Sequence, residues 1–438
     1  MNVDLLITHA SQLLTIPSHD HGARPGAQRG DRLGDLAIIT DGAVAVAGGS
    51  IVDLGPTAEL AAKYQADQLI DARARVVMPG FVDPHTHVVF AGDRAHEFER
   101  RIAGATYMEL MNTGGGIMST VRATRAATLE ELMAQTRARL DVMLAHGTTT
   151  AEAKTGYGLE TQAELKMLDA IAQLDAEHAI DLVPTFLGAH AIPAEYKGRE
   201  DEYTDLVANE MLPAVASRIP QPASFFVDVF CEDGAFTLEQ SRRILTRAKE
   251  LGFGLKIHVD EFEPLGGARL GVELGAISVD HVVSTPADEI ELLGQSKTIA
   301  VSLPGTPFGL AQRDYTPAQA VLATGGALAL ATDLNPGTTW NESMQFVVAL
   351  ACRYLKLTPA QALAAATINA AHAIGRGGSI GSVETGKQAD LLIMDVPDYR
   401  LIGYRYGTNL VRTVIKRGQI ISQASRPARR PAKGWDTA

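Results

Sequence analysis

The chain has 438 residues, 46% hydrophobic and 21% charged, with a formal net charge of −12. That length predicts one large domain with a smaller companion. The acidic balance excludes the basic face that nucleic-acid binding needs, and no apolar run reaches the length of a membrane span.

An anionic substrate would need a local cation to hold it. The two cysteines, Cys231 and Cys352, stand far apart and make no disulfide framework, so both are expected as inert core residues. Met1 to Thr8 carries no basic region ahead of an apolar core, and a cytoplasmic home is expected.

Residues 1 to about 78 read as short strands with Gly turns: Val3 to Ile7, Ala37 to Ile39, Ala43 to Ala47 and Ile51 to Leu54. They predict a small β-sandwich. Between Pro17 and Gly34 lies a polar insert rich in Gly and Arg, expected as a mobile surface loop. It holds His19, Asp20 and His21, a histidine pair with no strand to fix it, which we set aside as a metal site.

From Val76 the pattern changes. Apolar strand candidates run Val76 to His87, Thr148 to Lys154, Asp181 to His190, Ser224 to Glu232, Leu255 to Phe262, Ile277 to Val282, Ile299 to Leu303 and Ala327 to Asp333. Helical stretches lie between several of them, and Thr128 to Glu131 opens one with a capping-box pattern. Eight such strands predict parallel pairing and an α/β fold, a (β/α)8 TIM-like barrel. An open doubly wound sheet would need a Gly-rich nucleotide turn after its first strand, and Pro84 to His87 is nothing like one. Ala-rich helices follow over 342–355 and 359–374, and 381–421 returns to short strands. The expected organisation is a small β-sandwich domain formed by both termini, 1–77 with 381–425, around a barrel at 78–380, with a flexible basic tail at 426–438.

Catalytic groups of such a barrel sit where strands end, at the C-terminal face. The strand ends here carry His85 and His87, His190, His258 with Glu261, His281 and Asp333. One buried histidine alone is ordinarily a hydrogen-bonded core residue. Seven ionisable groups closing five apolar segments are not explained that way.

His85 and His87, at i and i+2, share one face of a strand. With His258 and Asp333 they make a ligand set for Zn2+ or Fe2+ that leaves a position for water. A metal there brings the water's pKa toward neutrality, and Asp333 is expected to take its proton. A second metal would need a bridging group, often a modified lysine on the fourth strand; Phe225 to Glu232 has no lysine, so one metal per chain is expected. Lys154 closes the second strand and receives no role.

Glu261 stands three residues after His258 and faces the same way only if the strand ends near Asp260 and the chain turns, as Phe262 to Gly267 suggests. It is then a proton shuttle to the leaving nitrogen, with Asp260 as competitor. His281 is read as donor to the forming oxyanion, or as an orienter of a ligand. Arg94 suits a substrate carboxylate; its plain alternative is a surface ion pair with Asp93 or Glu97. Tyr157 lies on a Gly-flanked loop from which its phenol is expected to face the pocket. Asn335, Gly337 and Thr338 form a turn whose amide and backbone groups can bond polar substrate atoms, although Asn-Pro-Gly is also simply a turn.

These residues resemble the amidohydrolase superfamily and, within it, the imidazolonepropionase family. Gly80 to His87 is the superfamily-wide signature. Phe90 to Arg94, Glu152 to Leu159, Thr185 to His190, His258 to Glu261, Asp280 with His281, and Thr332 to Thr338 are the more specific matches. The resemblance spans nearly the whole chain, and the insert at 17–34 departs from the compact form expected. It implies hydrolysis of 4-imidazolone-5-propanoate, a small anionic substrate, to N-formimidoyl-L-glutamate. It also implies zinc or iron on His85, His87, His258 and Asp333, and a homodimer. Substrate contacts would come from Arg94, Tyr157, His190, Glu261, Asn335, Gly337 and Thr338. A ring deaminase of the same superfamily is the nearest alternative, but a neutral base gives Arg94 nothing to bind. A hydantoinase-like amidase meets the lysine-free fourth strand. A barrel serving only as a binding module leaves the strand-end groups idle.

Overall fold

Eight parallel strands follow one another in sequence order round a barrel: β1 (Phe81–Asp83), β2 (Thr148–Lys154), β3 (Asp181–Ala189), β4 (Phe226–Cys231), β5 (Gly254–Val259), β6 (Ser278–His281), β7 (Ile299–Ser302) and β8 (Ala327–Leu330). The computed structural model that defines them describes residues 1–20, 25–104, 115–219 and 221–423. The expected tail at 426–438 and His21 lie outside these residues. Helices such as Leu129–Ala145, Thr161–Glu177 and Leu238–Glu250 separate the strands and bury their apolar faces on them. The capping box at Thr128 is formed: Glu131 N donates to Oγ1 at 3.2 Å, and Thr128 N donates to Glu131 Oε2 at 2.9 Å.

The barrel closes between β8 and β1 through the irregular residues that follow both strands. Asp83 accepts from the Thr332 amide at 3.0 Å and hydroxyl at 2.5 Å. Beyond it, Asp333 N donates to His85 O at 3.1 Å, and His87 N donates to Leu334 O at 2.9 Å. The seam of the barrel therefore runs through the histidine pair and the aspartate.

The expected single strand from Val76 to His87 is divided at Gly80. Val76–Pro79 pairs antiparallel with Leu391–Met394, and only Phe81–Asp83 joins the barrel. Gly80 allows the close crossing, because a Cβ there would lie 2.2 Å from Thr149 Oγ1. His85 and His87 stand on extended backbone outside the regular strand, held by the Thr86–Leu334 bridge.

Beside the barrel, a four-stranded sheet (Asn2–Ala10, Gly42–Ala47, Ser50–Pro56, Gln65–Asp71) faces a five-stranded one (Gln12–Leu13, Val76–Pro79, Leu391–Met394, Val411–Lys416, Gln419–Gln423). Leu5, Ile7, Val44 and Val46 bury against Val77, Leu391, Ile393 and Ile415. The predicted strand at Ala37 to Ile39 is only a bridge from Ile39 to Leu13, and Ala37 has φ of 40°.

The insert at 17–34 corrects a second expectation. Over its described residues it is docked on the barrel. Gln28 is fully buried; its amide N donates to Asn369 Oδ1 at 2.7 Å and its Nε2 to Pro17 O at 2.9 Å. Arg29 donates to the carbonyls of Gly325, Gly294 and Ser296 at 3.0, 3.1 and 2.7 Å. The Arg29 guanidinium thus bonds backbone carbonyls of the barrel domain. Among the described residues no helix is long and apolar enough to cross a membrane.

Candidate metal centre and substrate site

At the C-terminal mouth of the barrel three imidazoles converge. His85 Nε2 lies 3.3 Å from His87 Nε2, and His258 Nε2 lies 3.4 Å from the same atom. Asp333 Oδ1 is 3.5 Å from Nε2 of both His85 and His87. All four side chains are buried. The Nδ1 of His85 is bonded to Asp280 Oδ2 at 2.6 Å, and that of His258 lies 3.0 Å from Asp228 Oδ2. A carboxylate at Nδ1 holds the proton there and turns the Nε2 lone pair outward. Burial, with nearby positive groups, pushes the His85 and His87 imidazoles well below their usual range. Nitrogens of three imidazoles this close to one another and to a carboxylate oxygen share one small space that a cation can fill. The donor set fits a divalent metal.

Asp333 has φ of 53°, which turns its carboxylate off the strand line toward the histidines. Its Oδ2 accepts from the Thr306 hydroxyl. Burial pushes this carboxyl up to about 6, opposed by the Thr306 bond; a divalent cation at the nitrogens pulls it back down.

Glu261 meets the condition set by its spacing. Strand β5 ends at Val259, and Asp260, with φ of 51°, reverses the chain. Glu261 Oε2 then lies 3.6 Å from His281 Nε2. Burial raises the Glu261 carboxyl well above its usual range, with the charges of Asp333 and Glu232 adding to the effect. Its competitor Asp260 faces elsewhere and accepts the Thr285 hydroxyl at 2.6 Å. His281, with φ of 79°, sits with its ring centroid 5.6 Å from His85 and 5.3 Å from His258. Its buried Nδ1 has no protein partner.

His190 stacks on His87 at 4.7 Å between centroids and 12° between planes. Its Nδ1 donates to Gly156 O at 3.0 Å, and burial lowers its pKa to about 3, so a neutral ring leaves Nε2 as an acceptor. Tyr157 lies 6.0 Å from His87 and 5.2 Å from His190, centroid to centroid. Burial raises its phenol above the usual range, so it is a donor.

Arg94 does pair with Glu97, at 2.8 Å from Nε and 2.7 Å from Nη2, both to Oε2. This pair orients the guanidinium and leaves Nη1 against Gly337, where a Cβ would come within 2.5 Å. The plain surface-pair reading therefore fails on burial: Glu97 is 2% exposed. Asn335 closes its own turn. Its Oδ1 accepts from the amides of Gly337 and Thr338, both at 2.8 Å, while Nδ2 donates to Asp333 O and Thr338 Oγ1 at 2.8 and 2.9 Å.

Several supports were not legible as site residues. Glu164 accepts from the amides of Gly156, Gly158 and Leu159 at 3.0, 2.7 and 2.8 Å, which shapes the Tyr157 loop. Glu232 accepts from the amides of Phe262 and Glu263, both at 3.0 Å, and so pins the turn that carries Glu261. Arg139 donates to Val88 O at 2.7 Å and lies 3.4 Å over the Phe90 ring, which fixes the segment after His87.

A barrel with three imidazoles and an aspartate at its strand ends defines a metal-dependent hydrolase. The amidohydrolase family model matches residues 76–421, and a bacterial imidazolonepropionase-like composite domain matches 42–64. An imidazolonepropionase of Herpetosiphon aurantiacus is 56% identical over 96% of this chain and 97% of its own length. One from Chloroflexus aggregans is 51% identical, with 95% and 98% covered. The chain belongs to the amidohydrolase family and, within it, to the imidazolonepropionases.

Solved structures share the fold at low identity. A 5-methylcytosine deaminase from Klebsiella pneumoniae superposes with a TM-score of 0.71 at 17% identity, covering 97% of this chain and 99% of that one. A zinc-bound adenosine deaminase from Xanthomonas campestris gives 0.68 at 21%, covering 96% and 93%.

Proposed function

We propose that the chain hydrolyses the cyclic amide of 4-imidazolone-5-propanoate to N-formimidoyl-L-glutamate, as a cytoplasmic homodimer holding one Zn2+ or Fe2+ per chain. One observation carries this reading: an oriented guanidinium, Arg94, and a phenol, Tyr157, stand beside a three-imidazole, one-aspartate centre. Such a site holds a carboxylate at one end and cleaves a C–N bond at the other.

His85, His87, His258 and Asp333 would hold the metal. When bound, it supplies an acidified water and polarises the ring carbonyl. Arg94 and Tyr157 bind the propanoate and so fix the ring over the centre. His190 offers Nε2 as acceptor to a ring N–H. As water adds to the carbonyl carbon, Asp333 takes its proton. His281 donates to the carbonyl oxygen as negative charge builds there. The ring C–N bond then breaks, and the departing nitrogen takes a proton from Glu261. The Asp333 charge raises the proton affinity of Glu261, which supports passage of the water proton from Asp333 to Glu261 before the nitrogen takes it. Water's OH ends on carbon as the new carboxyl group and its proton on nitrogen.

Turnover of imidazolonepropanoate by purified protein, without ammonia, is expected. Stoichiometric ammonia from a nucleobase, with imidazolonepropanoate untouched, would transfer the assignment to a ring deaminase.

A further inference from the structure

Directly beneath the histidines the barrel interior holds two lysines and three carboxylates, all fully buried. Lys154 Nζ lies 2.6 Å from Asp228 Oδ2, 2.9 Å from Glu152 Oε2 and 3.7 Å from Asp280 Oδ2. Lys256 Nζ lies 3.1 Å from Glu152 Oε2 and 3.5 Å from Asp280 Oδ2, and it donates to Pro84 O at 2.6 Å. The other oxygens are also committed. Ser278 donates to Asp280 Oδ1 at 2.6 Å, Thr185 to Glu152 Oε1 at 2.5 Å, and Val229 N to Asp228 Oδ1 at 2.8 Å. The same Asp280 Oδ2 and Asp228 Oδ2 that face the lysines face Nδ1 of His85 and His258.

Burying five charged groups is costly, and an apolar barrel layer would be as stable or more so. Stability alone gives no reason for this arrangement. His85, Glu152 and Asp280 have the spacing of a metal site, but both ammonium groups already reach Glu152 and Asp280.

We propose that Lys154 and Lys256 are positioning residues for the metal ligands. Lys154 fixes the aim of both aspartates that face Nδ1 of His85 and His258, while Lys256 fixes the one beside His85 and ties down the carbonyl immediately before it. The lysines thereby present both Nε2 lone pairs to one point before a metal arrives. The inference rests on the metal reading of that site and adds to it two residues that touch neither metal nor substrate.

The test measures metal binding rather than turnover. Full-length Lys154→Met and the charge-balanced Lys154→Met/Glu152→Gln are compared with wild type, and Lys256→Met with Lys256→Met/Glu152→Gln. Zinc dissociation constants come from competition with a chromophoric chelator, Co2+ absorption spectra report ligand geometry, and thermal unfolding of the metal-free chains reports fold. The charge-balanced variants are expected to unfold cooperatively, to bind zinc about 10- to 100-fold more weakly, and to show a changed Co2+ spectrum. Folded variants with zinc affinity within twofold of wild type and an unchanged spectrum would overturn the proposal. Failure of both charge-balanced variants to fold would overturn it too, by making the lysines supports of the barrel itself. Wild-type protein that takes up neither zinc nor cobalt would sink the ligand set and this inference with it. Wild-type protein that binds zinc yet ignores imidazolonepropanoate would refute the substrate alone.

Discussion

Replacing Arg94 by Met tests the substrate reading most directly, and the structure sets the size of the effect. The guanidinium is 16% exposed on its side chain and is aimed by Glu97. A hydrogen-bonded charge contact of this kind is worth about 1.5–3 kcal/mol, or roughly 10- to 150-fold in affinity. Arg94→Met alone also strands the Glu97 carboxylate, which among the described residues keeps only the Gly116 amide at 3.1 Å as a hydrogen-bond donor. Breaking a buried pair costs about 3–5 kcal/mol in stability. Arg94→Met/Glu97→Gln removes that complication. Its KM for imidazolonepropanoate should rise within the stated range, kcat should change far less, and metal per chain should stay at wild-type level by elemental analysis. A KM equal to wild type in a folded double variant would place the propanoate elsewhere and refute the reasoning.

Further outcomes follow from the same geometry. Glu261→Gln should lower kcat by about 10²- to 10⁴-fold while zinc binding is unchanged in the chelator competition. Gly156→Ala puts a Cβ 2.9 Å from Leu187 O and 3.0 Å from His190 Nδ1 at φ of +107°, so both His190 and Tyr157 should shift and kcat/KM should fall. Dialysis against a strong chelator should abolish turnover, and added Zn2+ or Fe2+ should restore it. Burial pushes the Cys231 thiol up to about 11, so at pH 8 roughly 0.1% is thiolate and native protein should resist alkylation there until unfolded.

Much of the site was legible because strand ends concentrate ionisable residues, and that signal survives without coordinates. The barrel followed from the alternation of apolar runs with capped helices. What the sequence hid has a common cause: polarity alone does not say what satisfies it. The insert at 17–34 reads as solvated, yet Arg29 finds three barrel carbonyls. Lys154 and Lys256 sit on strands where a lysine suggests an exposed edge, and only the closed barrel reveals carboxylates from β2, β4 and β6 around them. Gly80 looked like part of one long strand because the chain stays extended through it; the change of sheet depends on Thr149, far away in sequence.

The period-2 rule explains where the site departs from simple strand geometry. It would send Glu261 to the face opposite His258. Asp260, His281 and Asp333 all take positive φ, at 51°, 79° and 53°, at or just beyond the ends of β5, β6 and β8. Such conformations cost of order 1–3 kcal/mol for non-glycine residues and persist only where surrounding contacts enforce them. Here the enforcing contacts are visible. Asp260 O accepts the amides of Val283 and Ser284 at 3.1 and 2.8 Å, His281 O accepts the Thr316 hydroxyl at 2.7 Å, and Asp333 N is held by His85 O at 3.1 Å. Three strand ends are turned by bonds to neighbouring strands or loops. The turn at Asp260 brings Glu261 into the site, while His281 and Asp333 occupy the strained positions themselves. The same strain that defeats a strand-by-strand reading therefore gathers Glu261, His281 and Asp333 around the imidazoles of His85, His87 and His258.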